Sequence, residues 1–214
     1  MTNPIRYRRA AILLIIIYAV GVAGLNSDYR DGFLVLTPIN LLLTISILFL
    51  FHTDWNRSFI LWSLFVFLGG FFIEVYGVAS GHFFGIYYYK GSLGPNVFGV
   101  PPVIGLNWLL LSYSIGHLVK DIRVFGSTMR ILTASLLMVL LDLLIEPVAM
   151  DLDFWDWEGG RVPLKNYLGW FVVSLVIFAA FERAKFAKTN PLAPFVVYVQ
   201  FGFFAVMNLI LYLR

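Results

Sequence analysis

Three carboxylates stand inside stretches whose other residues are those of a membrane interior: Glu74, Asp142 and Glu146. Asp142 and Glu146 are four residues apart, so a helix sets them one turn apart on one face. An acid in hydrocarbon is costly, and it usually faces a bundle interior or a cavity and marks function. Two like charges one turn apart in a low dielectric are expected to share a proton, which puts a proton donor beside a base. The chemistry on offer is therefore acid–base: one group delivers a proton, another abstracts one or orients water.

The elements that must position these acids follow from composition. Of 214 residues, 60% are hydrophobic and 13% charged, against roughly 25% charged in a soluble domain. No soluble core of this size hides so much apolar surface. The expected fold class is all-α: an integral membrane helical bundle of about seven transmembrane helices, forming one domain over residues 1–214, with no internal repeat. A span needs about 20 apolar residues, and the candidates are Ala10–Leu25, Phe33–Phe51, Ser58–Tyr76, Val103–Val119, Ile131–Met150, Leu168–Ala184 and Pro194–Leu213. The basic start leads into the first apolar run without a small-residue cleavage site, so no cleavable signal is expected. With the N-terminus cytoplasmic and the C-terminus outside, the inner side collects Arg6, Arg8, Arg9, Arg57, Lys120, Arg123, Arg130, Arg183, Lys185 and Lys188. The outer side keeps Arg30, Lys90, Arg161, Lys165 and Arg214, a ratio of ten to five that follows the positive-inside rule. The net charge of +3 is explained by this topology and calls for no nucleic acid.

Two outer segments, Gly77–Pro102 and Asp151–Tyr167, are long and rich in aromatics, Gly and Pro; neither alternates like a strand. Connections of this length tend to be functional, and they read as interfacial lids or partly re-entrant loops. At about 1.5 Å per residue, Glu74 lies roughly 25 Å beyond Arg57, Glu146 roughly 24 Å beyond Arg130, and Asp142 one turn deeper. Two distant parts of the chain thus converge on one layer in the outer half of the membrane. Pro147 has no N–H for the carbonyl of Leu143, so a kink and a free carbonyl are expected beside Glu146. Trp55, Trp62, Trp108 and Trp170 lie near span ends, as an interfacial belt requires. The tracts 82–89 and 154–157 sit beside the acids, and electron-rich rings there suit a developing cation. Cysteine is absent, which excludes disulfides and thiolate chemistry. The histidines His52, His82 and His117 are scattered, and neither a metal nor a cofactor is expected.

Two segments carry a resemblance. Glu74-Val-Tyr-Gly-Val-Ala-Ser-Gly81, Phe84-Gly-Ile-Tyr-Tyr-Tyr89, Leu93-Gly-Pro95, Phe98-Gly-Val-Pro101 and Trp108 form the first. Asp142, Glu146-Pro147, Trp155-Asp-Trp157, Val162-Pro163 and Asn166-Tyr-Leu-Gly-Trp170 form the second. Together they resemble the signatures of a family of bacterial and archaeal membrane carotenoid-biosynthesis proteins that includes bisanhydrobacterioruberin hydratase and the carotenoid 1,2-hydratases. The chain departs from that pattern at Glu146, where Asp is expected, and at Gly159-Gly-Arg161, where a Tyr-Gly pair is more usual. The resemblance implies a multi-pass protein of the inner (plasma) membrane that hydrates the end of an acyclic carotenoid without a cofactor. On that reading Glu74, Asp142 and Glu146 are catalytic: the acid comes from the Asp142/Glu146 pair and Glu74 orients the water, or the two roles are exchanged. His82, Tyr87, Tyr89, Trp155, Trp157 and Asn166 line the end pocket. The oligomeric state is open.

Other readings exist. Cyclisation of the same end group begins with the same proton and differs by adding no water. A proton-coupled transporter also carries intramembrane acids, but broken helices in matching halves are not seen. A retinal photoreceptor needs a lysine near the centre of a span, and none is present.

Overall fold

The computed structural model describes residues 4–120, 122 and 124–214; Arg123, counted above on the inner side, lies outside them. Seven helices follow one another: α1 (Pro4–Leu25), α2 (Arg30–Phe49), α3 (Arg57–Ser80), α4 (Val103–Lys120), α5 (Ser127–Asp151), α6 (Leu164–Arg183) and α7 (Leu192–Leu213). The seven expected spans are thus seven helices, most of them starting earlier than the apolar runs. Several of those ends add polar residues to the apolar run, as with Arg57 of α3 and Ser127 of α5.

All but α4 are long and apolar enough to cross a membrane on their own, so the chain is a multi-pass membrane protein. The exception has a structural reason. α4 packs against α2, α3, α5, α6 and α7, and thirteen of its eighteen residues are buried. A helix at the centre of the bundle has no lipid face to keep apolar, so it can carry Asn107, Ser112, Tyr113, Ser114 and His117.

Helix ends are set locally. The Asn56 side chain accepts from the Phe59 N–H at 3.0 Å and starts α3. Gly81, with φ of 62°, ends it in the left-handed region that glycine adopts without strain. α5 runs on through Pro147, where Asn208 of α7 donates to the carbonyl of Leu144 at 2.7 Å. A neighbouring helix thus supplies a donor at the turn the proline weakens. At the far end of the same hairpin Arg130 holds Glu182 through two hydrogen bonds of 3.0 and 2.6 Å.

The two long connections correct the sequence reading. Each contains a three-residue strand, β1 (Tyr87–Tyr89) and β2 (Trp155–Trp157), and the two pair antiparallel. Three residues are too short for alternation to stand out in sequence. The ribbon crosses the end of the bundle where α3 and α5 finish and α4 and α6 begin. Lys90 fastens it, reaching Asp153 at 2.5 Å and Asp156 at 3.3 Å.

Candidate active site

Glu74 sits on the inward face of α3, about one turn from Gly70 on one side and from Gly77 on the other. Those glycines make room for its partners. A Cβ on Gly70 would lie 2.6 Å from the Trp108 side chain, and one on Gly77 would lie 2.5 Å from Phe84 and 2.8 Å from the Tyr87 hydroxyl. Given that space, Trp108 of α4 donates to Glu74 Oε1 at 3.1 Å. The hydroxyls of Tyr87 and Tyr89 donate to Oε2 at 2.5 and 3.0 Å. The carboxylate is 3% exposed and accepts three hydrogen bonds.

Asp142 and Glu146 lie on the buried face of α5. Asn166, in the first turn of α6, points its amide between them and donates to Asp142 Oδ2 at 2.7 Å and Glu146 Oε1 at 3.1 Å. Glu146 Oε2 accepts from the indoles of Trp155 at 2.9 Å and Trp157 at 2.7 Å. Glu146, like Glu74, therefore receives three donors. Asp142 is fully buried yet has only the Asn166 bond, and its Oδ1 has no partner among the described residues.

The ribbon explains this symmetry. Its register sets Tyr87 opposite Trp157 and Tyr89 opposite Trp155, so all four side chains fall on one face, and that face looks at the acids. The Tyr87 and Trp157 rings lie 4.8 Å apart, centre to centre, which couples the Glu74 cluster to the Glu146 cluster. Burial first, and then the nearby charge of Glu74, raises both phenols above their ordinary range. They therefore stay protonated as donors.

The three acids, both ribbon tyrosines, both ribbon tryptophans and Asn166 are thus brought together. His82 is not. It is exposed, its Nδ1 lies 2.5 Å from the Ser80 carbonyl oxygen, and it serves the end of α3 as a turn residue. The belt reading of the tryptophans is also corrected: Trp55 is exposed, while Trp62, Trp108 and Trp170 are buried. Trp108 and Trp170 stack at 4.1 Å, so Trp170 braces the indole that holds Glu74. Their inward role left one trace in the sequence, the polar character of α4. Two of the scattered histidines also meet, since His52 and His117 both bond to Tyr113 at the other end of the bundle. Among the described residues no group of three His, Cys, Asp or Glu is placed to share a metal ion.

A cavity of about 420 Å³ opens beside the cluster, between α1, α2, α4 and α7, roofed by Leu93, Leu152, Phe154 and Trp155. An apolar cavity of this size suits a small or chain-like hydrophobic molecule.

The sequence profile of a family described as carotenoid biosynthesis protein matches residues 34–213. The chain belongs to this family. Within it, the chain is 32% identical over 136 residues to the bisanhydrobacterioruberin hydratase of Haloarcula japonica, a match covering 58% of the chain and 46% of that relative. The chain spans about half the length of the curated relative it matches. No solved structure is significantly similar. In this carotenoid-biosynthesis protein the segments that carried the resemblance are the ones that build the carboxylate cluster.

Proposed function

We propose that the protein is a carotenoid hydratase of the plasma membrane that adds water to the terminal C=C of an acyclic carotenoid. The supporting observation is the unequal hydrogen bonding of the three acids. Every bond to Glu74 and Glu146 is one that the carboxylate accepts, three each, which is how an ionised carboxylate bonds. Asp142 alone keeps an oxygen free of partners.

Asp142 is the proton donor in this reading. Its proton moves to the less substituted alkene carbon, and the π electrons form the new C–H bond. A tertiary carbocation is left next door. Glu146, one turn away, and the ring faces of Tyr87 and Trp157 stabilise that cation. A water oriented by Glu74 bonds through oxygen to the cation and passes its extra proton to Glu74. A tertiary alcohol results, and the proton on Glu74 returns to Asp142 after release. No electron acceptor is needed, because the sum is alkene plus water. The relative's name, a hydratase, supports the same direction.

The test is co-expression in a bacterium that makes an acyclic carotenoid, followed by pigment extraction and mass analysis. A pigment heavier by one water is expected, and Asp142→Asn abolishes it. A product of unchanged mass but altered absorption points instead to cyclisation. An untouched pigment in cells with abundant folded protein refutes the hydratase reading.

A further inference from the structure

The carboxylates account for the proposed chemistry but leave open how a long polyene reaches them, and the inference here rests on that proposed reaction. None of the three acids lines the cavity; the link is Trp155. Its ring belongs to the cavity roof, while its indole N–H holds Glu146. Ile145, the residue before Glu146, forms the adjoining wall. On the opposite side the cavity reaches Ile16 and Val20 of α1 and Leu36 and Ile39 of α2, which are 52%, 51%, 48% and 49% exposed. In a membrane-embedded bundle that exposure is to lipid tails, so the cavity opens sideways into the bilayer.

Its polar groups differ in how they are satisfied. Deep in the wall, Gln200 donates to Tyr18 at 2.8 Å and Tyr18 pairs with Thr44 at 3.2 Å, while Asn40, also in the wall, keeps a buried Oδ1 with no partner among the described residues. Asn107 is not tied into the Gln200–Tyr18–Thr44 network either. It lies about 6 Å along α4 from the end under the ribbon, next to the Trp108 that holds Glu74, and lines the cavity. Its side-chain amide has no hydrogen-bond partner among the described residues. An amide in an apolar wall is costly unless something pairs with it.

We propose that this cavity binds the isoprenoid chain of the substrate, entered from the bilayer between α1 and α2, and that Asn107 hydrogen-bonds the oxygen at the reacting end. That oxygen is first the attacking water and then the product hydroxyl. An amide both donates and accepts, so it serves each in turn. Asn107 is a positioning residue for the water, and Trp155 marks the junction where the end of the chain meets the acids.

Binding is read without turnover from the circular dichroism that an acyclic carotenoid acquires when held in the purified protein. Gly21 lies in the cavity wall, and a Cβ there meets only Phe203, at 3.8 Å, so a larger side chain grows into the cavity. Gly21→Phe is expected to weaken binding at least roughly tenfold, and Ile17→Trp, also in the wall, is expected to do the same should the first variant misfold. Gly202→Phe, on an exposed face with nothing within 4 Å, binds as the wild type does. Asn107→Leu keeps the induced signal and KM but lowers kcat about tenfold or more, with partial rescue by Asn107→Gln. Wild-type binding by both folded blocking variants overturns the chain site, and an unchanged kcat in Asn107→Leu overturns the role of Asn107. Intact, cavity-dependent binding with no gain of water refutes the hydration chemistry alone.

Discussion

Asn166→Leu removes the one group that touches both acids of α5. The substitution keeps the number and branching of the side-chain heavy atoms while two hydrogen bonds, of 2.7 and 3.1 Å, disappear. The bond to the ionised Glu146 contributes about 1.5–3 kcal/mol and the one to the protonated Asp142 about 0.5–1.5 kcal/mol, which gives about 2–4.5 kcal/mol for the pair. Asp142 would then be fully buried without any hydrogen bond. For a chain of this size the loss corresponds to a fall in Tm of about 4–18 °C. Conversion should fall by roughly 10²–10⁴-fold, the usual contribution of a positioned acid or base. The assays are thermal unfolding in detergent and pigment mass after co-expression. Asn208→Leu is the control: Asn208 also makes two bonds of 2.7 Å, but to the main-chain carbonyls of Leu144 and Phe204. It should lose stability and keep conversion in the molecules that fold. A Tm within about 2 °C of wild type together with an unchanged pigment profile in Asn166→Leu refutes the bridging role.

Tyr87 and Tyr89 have raised phenol pKa values, so the bonds they donate are fully kept below the usual phenol value of about 10. Those bonds are lost only as the pH climbs above it. A tyrosinate absorbance titration near pH 10 should therefore count as many ionising tyrosines in wild type as in Tyr87→Phe/Tyr89→Phe; two more in wild type would contradict the burial. Burial lowers the His52 imidazole below its ordinary value, so its contribution to stability is present above about pH 6.5 and fades as the pH falls through lower values. His52→Gln should flatten the acid limb of a Tm–pH curve, and an unaltered limb would refute this. Gly77→Ala drives a methyl to within 2.5 Å of Phe84 and 2.8 Å of the Tyr87 hydroxyl. It should cost about 1–3 kcal/mol and impair conversion, whereas Gly69→Ala, with nothing within 4 Å, should do neither.

The seven helices were legible because a membrane interior imposes length and composition on each span. The acids were legible for the converse reason, as exceptions to that composition. Asp142, Glu146 and Asn166 come together much as their spacing and the resemblance imply, since α5 and α6 form one hairpin. The ribbon was not legible, because three residues carry no readable period. Trp108 reads as a belt residue in sequence because its partner Glu74 lies 34 positions away, beyond any local pattern. His82 shared its aromatic neighbourhood with Tyr87 and Tyr89, but only the strand's alternate residues turn toward the acids.

The donors to Glu74 and to Glu146 all follow them in the chain, each set within one helix–strand–helix segment. Glu74 receives from residues 13, 15 and 34 positions later, and Glu146 from residues 9, 11 and 20 positions later. During synthesis, Glu74 and Glu146 can each gain their hydrogen bonds from their own segment as it emerges, before the other exists. The ribbon then only has to join two finished halves. A membrane insertion machine thus never has to hold a bare acid in lipid while it waits for a distant partner, and the two halves expressed as separate polypeptides have what they need to reassemble.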